Sequence, residues 1–201
     1  MIKIIGTHHL MSKEEIYSII ENEKPDVIGV ELCETRFNLM VMPTLDGYEI
    51  ENKEDNSLIG KISNVIKKKA EEEDVKYGSD QINACIYAKE NNIPLEFVDL
   101  DIMKTKELMD KIPPNEVEGF MKEIAEFQNK TIKESVEKID VEKTLIEMKL
   151  KFPIAFEFLV NLRNLFILNK ILKLEKKYGD KKIVIFLGKG HEKIIEDGLK
   201  I

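Results

Sequence analysis

Residues 24–32 read Lys-Pro-Asp-Val-Ile-Gly-Val-Glu-Leu, a tight apolar run that follows a proline. The branched side chains of this run favour a buried β-strand because they pack well on a pleated surface. Residues 2–5 predict a first, shorter strand, and the capping-box sequence at Ser12 predicts a helix between the two. A strand, a helix and a strand within about 30 residues are typical of a βαβ unit, so we expect a parallel pair.

The rest of the chain extends this pattern. The spacing of its apolar residues and the positions of its glycines and prolines predict the remaining elements. In order, these are a loop or small hairpin at 37–56, a helix from 58, a capped helix from 79, a strand at 93–98, long helices over 103–177, a strand at 183–187 and a loop at 188–191. We therefore expect an α/β fold whose mainly parallel sheet core is flanked by helices. A single domain over 1–201 is predicted, with a long helical insertion at about 103–178 before the last strand.

The composition excludes several classes of protein. The chain has 201 residues, and 38 acidic against 31 basic side chains give a net charge of −7, which disfavours nucleic-acid binding. A hydrophobic content of 43% argues against disorder. Two cysteines and an N-terminus without a signal peptide predict a cytoplasmic protein. The apolar stretch 152–174 is interrupted by charges, so we expect it to pack internally or to join two subunits of a homodimer.

Polar side chains that can support catalysis follow the carboxyl ends of the predicted strands. Those ends share one edge of a parallel sheet, where ligands bind. The residues concerned are His8, His9, Glu31, Arg36, Asp99, Asp101 and His191. Each has a structural alternative: the histidines as turn residues, the aspartates as helix caps, and Arg36 as a surface ion-pair partner.

Two features make this edge more than a set of isolated residues. The sequence Gly-x-x-His occurs after two strands, at 6–9 and at 188–191, where glycine lets the backbone turn and a ligand approach. Glu31 lies at an apolar strand end, where an unpaired carboxylate is costly to bury, so it needs a partner. Arg36 is one of only two arginines and is expected to hold Glu31 or a substrate carboxylate.

Four segments of the chain resemble, in order, motifs of the TraB/PrgY family, which is related to the Tiki proteins. They are 6–9, 24–36, 99–105 and 188–191, and the second is the most specific. Two positions depart from the family pattern. Leu100 stands where the family commonly has an arginine between two aspartates, and Asp80 stands where it has a glutamate.

The resemblance implies a fold similar to that of erythromycin esterases and haem-binding ChaN proteins, with a hydrolase site. Tiki proteins are described as metal-dependent proteases that use the two Gly-x-x-His histidines and the glutamate. Carried over, these are His9, His191 and Glu31. Many family members continue into a C-terminal membrane region. The resemblance therefore implies that this chain is a soluble portion of such a protein, or a soluble relative of it, and that it can lie at the membrane periphery.

The first functional hypothesis is a metal-dependent hydrolase that acts on a peptide or another small substrate. His9, His191 and either Glu31 or Asp99 would hold a divalent cation, with zinc, manganese, cobalt and iron all open. Glu31, if it is not a ligand, would be the general base, and Arg36 would steady the carbonyl oxygen. A supporting or substrate-binding role is expected for His8, Asp101, Gly6, Gly188 and Gly190.

Two alternatives stay open. A metal-independent, esterase-like hydrolase would use His9 as the base, oriented by Glu31. A non-enzymatic regulatory protein, similar to the PrgY-like inhibitors of a peptide pheromone, would bind a peptide or haem at the same edge without turnover.

Overall fold

The computed structural model of the chain describes residues 1–8, 11–46, 58–72, 77–127 and 140–200. The strands are β1 (Ile2–Thr7), β2 (Val27–Val30), β3 (Leu95–Phe97) and β4 (Ile183–Gly188). The helices are α1 (Lys13–Glu23), α2 (Glu34–Met40), α3 (Met42–Asp46), α4 (Leu58–Glu72), α5 (Ser79–Glu90), α6 (Ile102–Met109), α7 (Pro114–Phe127), α8 (Val141–Lys151), α9 (Pro153–Phe156), a π-helical segment (Glu157–Asn161), α10 (Leu162–Tyr178) and α11 (Lys189–Leu199).

The described strands form one parallel sheet in the order β1-β4-β2-β3. Helices flank this sheet, which confirms the predicted α/β fold. The expected pairing of the first two strands is wrong, because β4 lies between β1 and β2 and bonds to both. All six residues of β4 are apolar or glycine and all are buried, so its central position excludes water from the strand on both faces.

Alternate residues of β4 face opposite layers of the core. Val184 and Phe186 pack with the buried side chains of α1 and α5, whereas Ile183, Ile185 and Leu187 pack with those of α10 and α11. The sheet is therefore the middle layer between two sets of helices. In a parallel sheet covered on both faces, ligands bind beyond the carboxyl ends of the strands.

The helix between the first two strands follows the predicted capping box. The hydroxyl of Ser12 accepts a hydrogen bond from the backbone N–H of Glu15, and the Glu15 carboxylate accepts one from the backbone N–H of Ser12. Strand β1 is longer than predicted. Gly6 does not end it, because Gly6 and Thr7 stay in register with Leu187 and Gly188 of β4.

Two predicted loops are helical. Residues 34–46, which overlap the predicted loop at 37–56 over positions 37–46, form α2 and α3, because Phe37 and Val41 lie four residues apart and bury one helical face. Pro43 is tolerated in the first turn of α3, where its missing N–H would have no intrahelical partner. The remaining part of that prediction, 47–56, lies outside the described residues.

The second wrong prediction is the loop at 188–191. Helix α11 begins at Lys189, so His191 lies in its first turn. Gly188 is the N-cap with φ −56°, a conformation open to any residue. Helix α5 begins at Ser79, as the sequence predicts. The N-cap of α5 is Gly78 with φ 75°, a left-handed conformation that favours glycine, and the Ser79 hydroxyl donates to the carbonyl of Met11.

The chain divides into two compact units. The first comprises 1–51, 78–102 and 163–201 and contains the sheet; the second comprises 52–77 and 103–162 and is helical in its described part. The helical insertion is thus seen only in part, since Arg163 and the residues after it belong to the first unit. The description of the whole chain as one domain stays a prediction.

The second unit has its own apolar core around Met109, Ile112, Phe152 and Ala155. Helix α9 begins at Pro153, and its N-terminal backbone N–H groups are satisfied by the buried Glu116 carboxylate, which accepts hydrogen bonds from those of Ile154 and Ala155. None of the helices in the described parts of the chain combines the length and apolar character needed to cross a bilayer.

Candidate functional site

The edge of the sheet in the first unit carries a connected cluster of charged side chains. Glu31 directly follows β2, Asp99 lies two residues after β3, and His191 lies in the first turn of α11. The structure brings these three predicted residues together with Arg36. It adds Arg163 and Asn164, both from the first turn of α10.

Glu31 is only 6% exposed, and both of its carboxylate oxygens accept hydrogen bonds. Oε1 accepts from Nη2 of Arg163 at 2.7 Å, and Oε2 accepts from the backbone N–H of Gly188 at 2.5 Å. The sequence correctly predicts that this buried carboxylate needs a cationic partner. That partner is Arg163, however, and Arg36 pairs with Asp99 instead.

Arg163 is the centre of the cluster. Besides Glu31, it contacts Asp99 twice, through Nε to Oδ1 at 3.1 Å and through Nη2 to Oδ2 at 2.9 Å. Burial lowers the pKa of the Arg163 guanidinium, but the charges and hydrogen bonds of Asp99 and Glu31 outweigh that effect and raise the pKa above its ordinary value. Arg163 is therefore a permanent cation at this edge.

Asp99 is 5% exposed and its oxygens are also engaged. Oδ2 accepts from Nη1 of Arg36 at 2.9 Å, and Oδ1 accepts from the backbone N–H of Leu100 at 2.7 Å. The Arg36 side chain is 28% exposed, so its guanidinium reaches the surface while one nitrogen holds Asp99. Two guanidinium groups and two carboxylates balance one another in charge.

His191 lies between an amide and a carboxylate. Its Nδ1 is 2.6 Å from Oδ1 of the buried Asn164, and its Nε2 is 3.5 Å from Oε1 of Glu31. The two ring nitrogens therefore face different groups. One contacts a neutral hydrogen-bonding group and the other faces the charged cluster.

A second hydrogen-bond network supports Glu31 from the side of α5. The amide oxygen of Gln81 accepts from the backbone N–H of Glu31 at 2.8 Å, and its amide nitrogen donates to Asp80 at 2.9 Å. The Thr7 hydroxyl donates to the same Asp80 oxygen at 2.5 Å. Asp80 thus joins the ends of β1 and β2 through buried polar groups.

The remaining predicted site residues have separate surroundings. His9 lies outside the described residues. In His8, Nδ1 is buried and has no hydrogen-bond partner within the described part of the chain. Asp101 accepts from the Thr35 hydroxyl at 3.4 Å.

The three predicted glycines differ in what they require. A Cβ at Gly6 would meet the carboxylate of Glu192, which accepts a hydrogen bond from the Gly6 N–H at 2.9 Å. Gly188 contributes its N–H to Glu31. A Cβ at Gly190 would meet nothing within 4 Å, so space does not explain a glycine there.

The sequence interpretation missed Arg163 and Asn164 as members of the cluster, although both carry a signal. Arg163 is the second of only two arginines. Asn164 lies three, seven and ten residues before the buried Ile167, Ile171 and Leu174, so it occupies the apolar stripe of α10. A polar residue in an apolar stripe is buried and needs a polar neighbour.

The contacts of the predicted metal ligands Glu31 and Asp99 oppose the binding of a metal ion. The oxygens of Glu31 and Asp99 accept hydrogen bonds from guanidinium and backbone N–H groups, and two adjacent guanidinium charges oppose a divalent cation. Across the described ranges no three His, Cys, Asp or Glu residues are grouped so that they could hold a metal ion. As they are held here, the two carboxylates do not fit a metal centre. The metal stays a prediction, because it also involves His9.

No protein-family model matches the sequence, and no curated protein matches it. The resemblance to the TraB/PrgY family therefore stays a prediction that depends on the four segments at 6–9, 24–36, 99–105 and 188–191.

Proposed function

We propose that the protein is a hydrolase, with a peptide as the expected class of substrate, and that its reacting centre lies at the strand ends of the first unit. One observation carries this proposal. The imidazole of His191 is held between Asn164 and Glu31, with Nε2 only 3.5 Å from a carboxylate oxygen. A positioned imidazole beside a buried carboxylate is the arrangement that general-base catalysis needs.

The distance between the two groups suits the activation of water. When Nε2 carries no proton, it and Oε1 of Glu31 are two acceptors 3.5 Å apart. One water molecule can donate one O–H to each of them, which orients its lone pairs toward a substrate carbonyl. His191 then takes the proton as the oxygen attacks.

The two guanidinium groups have distinct expected roles. Arg163 pairs with the buried side chains of Glu31 and Asp99 inside the protein. Arg36 is partly exposed and has one nitrogen on Asp99, so its other nitrogens are the expected donors to the carbonyl oxygen of the substrate or to a substrate carboxylate. Negative charge that develops on the carbonyl oxygen would be stabilised by this cation.

Metal-dependent hydrolysis, with His9, His191 and a carboxylate as ligands, is the alternative mechanism for the same edge. Its support is the resemblance to the Tiki proteins, together with the buried Nδ1 of His8, an imidazole nitrogen without a partner within the described residues. Because the contacts of Glu31 and Asp99 do not fit ligation, no step is assigned to a metal.

The experiment is an assay with fluorogenic peptides and an activated ester, comparing the wild type with His191→Gln. We expect the substitution to lower kcat by about 10²- to 10⁴-fold, the range that a general base contributes. Asp197→Asn is the matched control, because Asp197 is exposed on the same helix and contacts only Lys200 among the described hydrogen bonds. Equal activity of His191→Gln and the wild type would refute the proposed base.

Two further measurements separate the alternatives. The metal content of the purified protein, and the activity after chelation and after readdition of zinc or manganese, distinguish the metal-dependent mechanism from the metal-independent one. A peptide that binds but is recovered intact after long incubation would refute the proposed hydrolase activity and favour a peptide-binding regulatory protein.

A further inference from the structure

Asn164 is placed to control the protonation of His191. Its side chain is buried, and its Oδ1 is 2.6 Å from Nδ1 of the imidazole. Its Nδ2 is also buried and has no hydrogen-bond partner within the described residues. The one hydrogen bond that the described part of the chain gives this amide is therefore the one to His191.

An amide oxygen can only accept a hydrogen bond, so the neighbouring Nδ1 must be the donor. In a neutral imidazole a proton on Nδ1 leaves Nε2 with its lone pair. Nε2 lies 3.5 Å from Oε1 of Glu31, beyond the usual range of about 2.7–3.2 Å for an N–H···O hydrogen bond, so a water that donates to both acceptors can lie between the lone pair and the carboxylate. The opposite amide orientation would place a donor beside Nδ1, move the proton to Nε2, and remove the base from the side of Glu31.

From this geometry, and resting on the proposed hydrolase, we infer that Asn164 is a positioning residue. It holds His191 in the Nδ1–H form, so that Nε2 is the proton acceptor of the reaction. The inference concerns a residue that acts through His191 and not on the substrate.

The charges of the cluster give a reason for an amide at this position. Glu31 and Asp99 are already balanced by Arg163 and Arg36. A carboxylate at position 164 would add a third negative charge to a buried set of groups, whereas an amide fixes the tautomer without adding charge. Asparagine therefore orients the ring and keeps the cluster neutral.

The direct test is the tautomer of His191 in the wild-type protein, read from long-range proton–nitrogen NMR correlations of the imidazole rings after ¹⁵N labelling. The chain has three histidines, so His191→Gln assigns the signal by its disappearance. We expect a protonated Nδ1 and an unprotonated Nε2 near neutral pH. A protonated Nε2, in a neutral or a cationic ring, would overturn the inference.

Variants at position 164 supply the second readout. Asn164→Asp offers only acceptors, so it should give the same Nδ1–H form, whereas Asn164→Ala should allow a mixture of tautomers. Asn91→Ala is the matched control, because Asn91 is exposed at the end of α5 and its amide contacts only the Tyr87 carbonyl among the described hydrogen bonds. If Asn164→Ala leaves the imidazole spectrum unchanged, the inference fails.

Kinetics connect this inference to the proposed function. Asn164→Ala should lower kcat by at least about tenfold in the wild-type background and cause no further loss in the His191→Gln background, since both residues act through one group. An equal loss in both backgrounds would assign Asn164 a merely structural role. Absence of hydrolysis with every substrate would refute the proposed function. The inference about the His191 tautomer would still be tested on its own, because the NMR measurement uses no substrate.

Discussion

Replacement of Arg163 by methionine tests the buried charge cluster most directly. Methionine keeps an unbranched apolar side chain and removes the guanidinium, which donates one hydrogen bond to Glu31 and two to Asp99. The Arg163 side chain is 15% exposed and both carboxylates are less exposed still. After the substitution, Glu31 keeps the Gly188 N–H, and Asp99 keeps Arg36 and the Leu100 N–H.

The expected destabilisation is large because two buried carboxylates lose a shared cation. Removal of one partner from a buried ion pair costs about 3–5 kcal/mol. Typical stabilities are about 5–15 kcal/mol, so the variant would lose a substantial fraction of the total. With a urea dependence of roughly 2 kcal/mol per molar, a loss of about 4 kcal/mol lowers the unfolding midpoint by about 2 M.

The assay is urea unfolding followed by circular dichroism at neutral pH. Lys177→Met is the control, since the Lys177 side chain is 59% exposed and its ion pair with Glu96 is a surface interaction worth about 1 kcal/mol or less. Arg163→Lys keeps the positive charge but loses the forked geometry of the guanidinium, so its unfolding midpoint should lie between those of the wild type and Arg163→Met. Glu31→Gln added to Arg163→Met should recover part of the loss, because it removes a buried negative charge that no longer has a guanidinium partner.

The reasoning would be refuted if Arg163→Met were no more destabilising than Lys177→Met. It would also be refuted if Glu31→Gln made the Arg163→Met variant less stable, because neutralising a buried carboxylate that has lost its guanidinium partner should raise the stability.

Three further predictions concern other parts of the first unit. Ser12→Ala should lower the unfolding free energy by about 1 kcal/mol through loss of the capping box, measured by urea unfolding, and an unchanged midpoint would contradict it. Gly6→Ala should displace the Glu192 carboxylate and cost about 1 kcal/mol, with no further cost in a Glu192→Ala background; equal costs in both backgrounds would exclude this contact as the cause. Burial and the Glu90 carboxylate raise the pKa of Tyr17 to about 12, so the resulting stabilisation is complete below pH 10 and lost as the pH rises toward 12. Tyr17→Phe should remove the phenol that ionises near pH 12 from an ultraviolet titration, and it should reduce the loss of stability at alkaline pH. If the variant still shows that ionisation step, the assignment to Tyr17 is contradicted.

Local patterns predicted most of the elements correctly. The Ser12 capping box, the branched run of β2 and the apolar run of β4 each depend on neighbours within a few residues, and all three appear where the spacing indicates. The helices at 34–46 were missed because a proline and several acidic residues resemble a loop. Their apolar stripe, Phe37 and Val41, gains its stability only by packing against the core.

The candidate site was predictable as a set of residues and not as a set of pairs. Carboxyl ends of parallel strands must meet, so Glu31, Asp99 and His191 could be assigned to one edge from the sequence. The sequence left Glu31 and a substrate carboxylate open as partners of Arg36, and the structure pairs Arg36 with Asp99. Arg163, which lies 132 residues from Glu31, pairs with it in the structure.

The sequence by itself determined an acidic α/β chain, its strands and most of its helices, and the edge at which Glu31, Asp99 and His191 meet. Only the tertiary structure decided that β4 lies between β1 and β2, that Arg163 joins Glu31 to Asp99, and that Asn164 faces His191. Secondary structure follows from hydrogen bonds and side-chain spacing within a few residues. The partner of a buried charge depends instead on which distant elements pack together, because every such group must be paired once water is excluded.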